Sequence, residues 1–280
     1  MKRFLPLLFT ACVTVPEPAV PPTIDDVFAA EDARVMWVAA HPDDEMLGGP
    51  VLARACIGHE TPCLFAVMNA GDGGECLRPE GCEPSVGAVR AVELSHVAHA
   101  MGAQLVHWRY YNAPLPVSSF PTRQELAQKW IADGHPGERL EKLIREFKPT
   151  VVITFDPHNG FTGHPEHQLA SRFATQAVRR ASKGPDAHRV SYVYHLLNKY
   201  WFYRVAGAGD EPAPTEIFTS DKPCGAPGRW CLDVALEISK AHRSQSADMG
   251  AVRSLRPQFG IHYLRRIDPF DLELAPEPTQ

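Results

Sequence analysis

Short, nearly continuous apolar runs recur along the chain, and such runs have few places to go. Arg34 to Ala40 (RVMWVAA) has the composition of a strand buried on both faces of a parallel sheet. Similar strand candidates are Leu64 to Met68 (LFAVM), Leu105 to Tyr110 (LVHWRY), Val151 to Phe155 (VVITF) and Val190 to Leu196 (VSYVYHL). Helical patterns lie between them: Ser85 to Met101 with Gly102 as a stop signal, Glu138 to Phe147 ended by Pro149, and Pro165 to about Ser182. A further helix is expected from Leu232 to about Ser246, and the Pro- and Gly-rich stretch Ala206 to Gly228 reads as a long loop. Strands that alternate with helices predict a layered α/β domain with a mostly parallel sheet, whose functional residues gather at the carboxyl ends of the strands.

One substantial domain is what 280 residues with 44% hydrophobic content can bury. Four prolines (Pro16, Pro18, Pro21, Pro22) mark residues 13 to 22 as an extended tether. The expected division is therefore a leader and tether over 1–22, a single catalytic domain over 23–274 and a frayed tail over 275–280. A formal charge of −5 gives no basic surplus for binding a phosphate backbone, so nucleic acid is excluded as the main partner.

Lys2 and Arg3 precede a short apolar run, Phe4 to Phe9, and then Ala11 and Cys12, an order that resembles a bacterial lipoprotein signal. Pro6 interrupts the run and the run is short, so a plain N-terminal extension is the competing reading. The expectation is export, as a periplasmic protein or a lipoprotein tethered to the membrane through Cys12. The other six cysteines fall as close neighbours, Cys56 with Cys63, Cys76 with Cys82 and Cys224 with Cys231, each pair flanking turn formers. Three local disulfides in an oxidising compartment are expected, against free thiols in a cytosolic protein.

Directly after the first apolar run stands His41-Pro42-Asp43-Asp44-Glu45, three carboxylates and an imidazole within five residues. Burying that much charge costs several kcal/mol per ion, and a divalent cation is an effective compensator. Helix capping would explain one carboxylate only. A second cluster follows the Val151 to Phe155 run, with His164 and His167 three apart at the start of a helical pattern, so that both face one side. In a parallel sheet the two strand ends share an edge, which lets His41 and Asp44 meet a histidine of the second cluster. Two histidines and a carboxylate with an open position suit hydrolytic Zn2+, and also Fe2+ or another divalent metal.

The strings AHPDDE (Ala40 to Glu45) and TGHPEH (Thr162 to His167) resemble the two signature motifs of the PIG-L, or LmbE-like, de-N-acetylases. Arg90 and Glu93, and Ala241-His242-Arg243-Ser244-Gln245, resemble weaker features of that family. The resemblance implies a Rossmann-like fold with its sheet sandwiched by helices, and removal of the acetyl group from an N-acetylglucosamine-type sugar. It implies that His41, Asp44 and His167 hold zinc, that Asp43 is the general base and that His164 stabilises the oxyanion. Four residues are expected to bind substrate. Arg90 either anchors a hydroxyl or phosphate or forms a surface pair with Glu93. Asn112 stands where relatives often carry an aspartate, Asp72 lines the pocket or serves a turn, and His242 touches substrate or packs the pocket wall. His158 is a weaker metal candidate, His195 reads as structural or solvated, and Trp201, Phe202 and Tyr203 could stack on a sugar. Two alternatives stay open: hydrolysis of another N-acyl amide, for which the Ala206 to Arg229 loop would set the groove, and a non-catalytic glycan-binding protein of the envelope.

Overall fold

The computed structural model describes residues 21–200, 210–272 and 274. Its strands are β1 Val35–Ala39, β2 Cys63–Asn69, β3 Ala103–Tyr110, β4 Val151–Phe155, β5 Tyr192–Leu197, β6 Glu216–Thr219 and β7 Ile261–Ile267. They form one sheet of order β3-β2-β1-β4-β5-β7-β6. The first five of that order run parallel, and β7 and β6 close the far edge in antiparallel pairing. The helices are α1 Ile24–Phe28, α2 Gly49–Ala53, α3 Val86–Ala100, α4 Arg123–Ala132, α5 Pro136–Phe147, α6 Gly160–Gly163, α7 Pro165–Ala181, α8 Cys231–Ile238 and α9 Ser246–Ser254.

Successive side chains of β1 enter opposite cores. Val35, Trp37 and Ala39 pack with Phe65, Ile153 and Phe155 beneath α1, α2, α3 and α8. Met36 and Val38 pack with Leu64, Ala66 and Val152 beneath α4, α5 and α7. Both faces are covered, which is why β1 is buried along its whole length and reads as an unbroken apolar run. The expected α/β Rossmann-like sandwich is the observed fold.

Several local expectations change. α5 starts at Pro136, two residues before the expected Glu138, with proline in the first helical turn where its missing N–H costs nothing. The stretch 206–228 is not all loop, because it contains the short strand β6. The helix expected over Leu232 to Ser246 ends at Ile238. Beyond it come two tight turns, Ser239–Ala241 and Arg243–Gln245, separated by His242 at φ −78° and ψ 65°, which no α-helix accommodates.

Cys56–Cys63 and Cys76–Cys82 are disulfides. Cys224 and Cys231 are not, contrary to expectation, and stay as buried thiols. The two thiols hydrogen-bond each other as a reduced pair, and each also faces a carbonyl, Ala53 O at 3.1 Å for Cys224 and Pro223 O at 3.4 Å for Cys231. Among the described residues no helix is long and apolar enough to cross a membrane. Cys12, the aromatic run Trp201 to Tyr203 and the tail 275–280 lie outside the described residues.

Candidate active site

Strand order places the site before any side chain is considered. The chain steps outward from β1 to β2 and β3, then returns to β4 on the other side of β1. Loops leaving β1 and β4 therefore diverge around a crevice at their carboxyl ends, the usual ligand position in an open parallel sheet. The two sequence clusters occupy those two loops.

After β1 the chain turns sharply, and the turn is tied by Asp44: its Oδ2 accepts the backbone N–H groups of Ala40 (3.0 Å) and His41 (2.9 Å). Its Oδ1 stands 3.0 Å from His167 Nε2. His41 Nδ1 lies 2.9 Å from the same His167 Nε2 and 3.5 Å from Asp44 Oδ2. The two clusters thus converge as expected.

After β4 the residue types explain the local structure. His164 is the N-cap of α7 and Pro165 its first residue; His164 Nδ1 accepts the Glu166 N–H at 3.2 Å. With Nδ1 accepting, the neutral ring carries its proton on Nε2 and is a donor there. His167 Nδ1 donates to Gly160 O at 2.9 Å. Gly160 sits at φ +58°, and a Cβ there would lie 2.8 Å from the Gln168 backbone nitrogen, so only glycine brings that carbonyl beneath the imidazole.

Glu166 was not singled out from the sequence, although it stands inside the second motif. It is fully buried and accepts four bonds: from His41 Nε2 (2.6 Å), Ala113 N (2.7 Å), Asn112 Nδ2 (2.8 Å) and Asn69 Nδ2 (3.1 Å). It locks the β1, β2, β3 and β4 loops to one another.

His41 gives its outer nitrogen to Glu166 and His167 gives its outer nitrogen to Gly160, so in the neutral rings the inner nitrogens carry lone pairs. Those lone pairs and the Asp44 carboxylate point at one spot, where they repel unless a positive charge joins them. Imidazoles held from behind by a carboxylate and a carbonyl are the support expected for metal ligands, so this donor set fits a divalent cation. Ring nitrogens of His41, His164 and His167 lie within 4.8 Å of one another. The His164 tautomer makes that ring a donor beside the metal position.

Charge follows the same pattern. Burial opposes protonation of His41, but Asp44 and Glu166 outweigh it and lift the imidazole to about 10, so a proton on His41 is one positive charge that satisfies this spot and a divalent cation that displaces it is another. His167 and His41 hold Asp44 well below the usual carboxylate range, against its burial. Burial and the charge of Asp44 push Asp43 up to about 8. His164 is driven well below the ordinary imidazole value by burial and by His41 and His167.

The three carboxylates of the first motif do three different things. Asp44 faces the imidazoles. Asp43 opens onto the cleft, caps nothing, and holds a left-handed backbone, φ 116° and ψ −23°, that costs a non-glycine residue ~1–3 kcal/mol. Glu45, fully buried, accepts the Asp43 N–H at 3.1 Å and pairs with His242 Nε2 at 2.5 Å. Gln245 Nε2 donates to Pro42 O at 2.8 Å and to the Asp43 carboxylate.

The cleft holds about 260 Å³. Arg90, Asn112, Asp248 and Gln245 give it a polar wall, and Leu115, Val117 and Phe120 an apolar one. Arg90 is not in a surface pair: it is buried, donates to Glu75 O at 3.1 Å, and Glu93 instead binds Ser244. Asn112 lines the cleft but spends Oδ1 on the Gly73 N–H (2.6 Å) and Nδ2 on Glu166. Asp72 does not line it. Its Cβ faces α3 at Gly87, and it borders a neighbouring cavity that also touches Asn112. His242 does not line it either, being turned to Glu45 behind Asp43. His158 is exposed, and His195 is fully buried 3.8 Å from Asp156.

With this geometry in place, the comparison with known families is decisive for one point: a family model described as "PIG-L: GlcNAc-PI de-N-acetylase" matches residues 36–178, more than half of the chain. The chain belongs to the PIG-L family. Among PIG-L relatives, a 1D-myo-inositol 2-acetamido-2-deoxy-alpha-D-glucopyranoside deacetylase from Thermobifida fusca is 31% identical over 281 residues, covering 89% of this chain and 96% of the relative. The chain spans only 55% of the length of another such deacetylase, from Catenulispora acidiphila, at 30% identity. Two solved structures share the fold. The N,N'-diacetylchitobiose deacetylase of Pyrococcus horikoshii superposes with a TM-score of 0.60 at 17% identity, over 88% of each chain. GalB, the 4-carboxy-2-hydroxymuconate hydratase of Pseudomonas putida, gives 0.59 at 15% identity, over 87% of this chain and 100% of that one. The second acts on a different class of compound, so the fold alone leaves the reaction to the site.

Proposed function

We propose that the protein is a metal-dependent hydrolase that removes the N-acetyl group of an N-acetylglucosamine-type substrate, releasing acetate and a free amino sugar. The observation that carries this reading is the convergence of His41, Asp44 and His167 on one point beside Asp43 and His164. The names of the relatives support the same substrate class. Zn2+ suits the two imidazoles and one carboxylate, and Fe2+ suits them as well. When bound, such an ion supplies Lewis acidity, polarising an amide carbonyl and lowering the pKa of water toward ~7.

The chain's own groups do the rest. Asp43 takes a proton from the attacking water as the C–O bond forms. His164 donates from Nε2–H to the oxygen that gains negative charge, a contribution of ~3–4 kcal/mol in comparable sites. Asp43 then passes its proton to the amine as the C–N bond breaks. Arg90 on the polar wall orients the sugar, while Asn112 fixes that wall through Gly73 and Glu166. The disulfides support an exported location, in line with the signal-like leader.

The apolar wall favours a second reading, an acyl group longer than acetyl. Its residues, Leu115, Val117 and Phe120, follow β3, and the described part of the 206–229 stretch does not reach the cleft. Mass-spectrometric screening of glucosamines with acyl chains of increasing length, with and without a chelator, separates the readings. Acetate release that the chelator abolishes is expected; turnover confined to long acyl chains selects the second reading, and chelator-resistant turnover contradicts both.

A further inference from the structure

Asp43 cannot hold its own position. Its left-handed backbone is one that a side-chain-bearing residue leaves unless its surroundings fix it. We propose that the turn His242–Gln245, which lies outside the family-matched residues 36–178, is a positioning clamp that fixes both ends of Asp43, the backbone through Glu45 and the carboxylate through Gln245. This rests on the role of Asp43 proposed above.

Glu45 Oε2 holds the Asp43 N–H, and its Oε1 is held in turn by His242 Nε2; both side chains of that pair are fully buried. Gln245 meets two acceptors, the Pro42 carbonyl and the Asp43 carboxylate. Two acceptors call for two N–H donors on one atom, which a glutamine amide supplies and a glutamate does not. The turn itself is anchored between them: Ser244 donates to Glu93 from N at 2.9 Å and from Oγ at 2.6 Å. Glu93 lies on α3, the helix that carries Arg90, so the turn ties the base to the helix presenting a polar wall residue. His242 and Gln245 are positioning residues; neither needs to touch the reacting atoms.

The test is a double-mutant cycle on the metal-loaded enzyme, with kcat, KM, metal content and thermal midpoint measured for each variant. Gln245→Met keeps the shape and removes both donors. It is expected to lower kcat by about 10- to 100-fold, the scale of a misplaced catalytic group, while KM stays within about threefold and bound metal is unchanged. Added to Asp43→Ala, whose residual turnover is read at high enzyme concentration, the same change is expected to cost less than about twofold, because there is no longer a base to position. His242→Gln, which keeps a nitrogen donor toward Glu45, is expected to retain most of the kcat that His242→Leu loses. An equal loss from Gln245→Met in both backgrounds, or a rise in KM at constant kcat, overturns the clamp. Full turnover by Asp43→Ala itself overturns the base assignment and the clamp with it, a result separate from the other two.

Discussion

The strands from β3 across to β4 and the segment from β5 onward share one sheet but contribute differently to the cleft. The first region supplies every group proposed to ligate the metal or handle protons: His41, Asp43 and Asp44 after β1, His164 and His167 after β4, with Glu166 binding the loops together. The second supplies braces and part of the wall: His242 and Gln245 behind Asp43, and Asp248 and the buried Met249 in the cleft lining. Reacting groups cluster where parallel strands end at a reversal of strand order, because the topology alone brings those ends together. Braces are free to come from anywhere in the chain, here from about two hundred residues beyond the groups they hold.

Substitutions can break or sharpen that division. The largest effect is expected for His41→Ala, which removes a proposed ligand and leaves Glu166 without its imidazole hydrogen-bond partner: bound metal and turnover should both be lost, as read by metal analysis and acetate release. Asp43→Ala is expected to lower kcat by ~10²- to 10⁴-fold, the range of a positioned general base, while metal content stays near wild type. Equal metal loss in the two variants would erase the distinction between ligand and base. His164→Ala should cost ~10²- to 10³-fold in kcat with metal retained. Its loss of metal along with turnover would make that ring a ligand instead of a donor.

Changes in the second region should be milder. Met249→Ala in the cleft wall is expected to move KM by a few-fold at nearly constant kcat, and a large kcat loss would mean that this wall takes part in chemistry. The smallest effect concerns His262 on β7, where burial pushes the imidazole down to about 4. The folded protein keeps this ring neutral down to that value, whereas the unfolded chain protonates it from about 6.5. Stability present above pH 6.5 is therefore lost as the pH falls toward 4. His262→Phe should flatten that loss, seen as a smaller drop in urea midpoint between pH 7 and pH 5, and an unchanged drop would place the acid sensitivity elsewhere.

The same division governs what the sequence alone reveals. β1 and β4 are legible because burial on both faces writes a continuous apolar run, and the motifs that follow them are legible because their charges have no reason to stand beside such runs unless they are used. Glu166 could have been found by the same logic, being a carboxylate inside the second motif. The metal argument from three carboxylates was broader than the outcome: Glu45 is compensated by His242, and only Asp44 faces the imidazoles. Gln245 carries no local signal, since its role comes from two acceptors that only folding brings beside it. β6 and β7 form an antiparallel edge with partly exposed residues, so their pattern lacks the clear apolar run of the central strands. Asp72 shows the limit of reading strand ends: it follows β2 as expected, yet its side chain turns toward α3.

Zinc titration by calorimetry into metal-free protein, for wild type and His167→Ala, bears most directly on whether the β1 and β4 loops share one cation. One saturable site per chain in wild type, abolished or greatly weakened in His167→Ala, is the expected result. Binding of equal affinity in both proteins, or no saturable site in wild type, would contradict it.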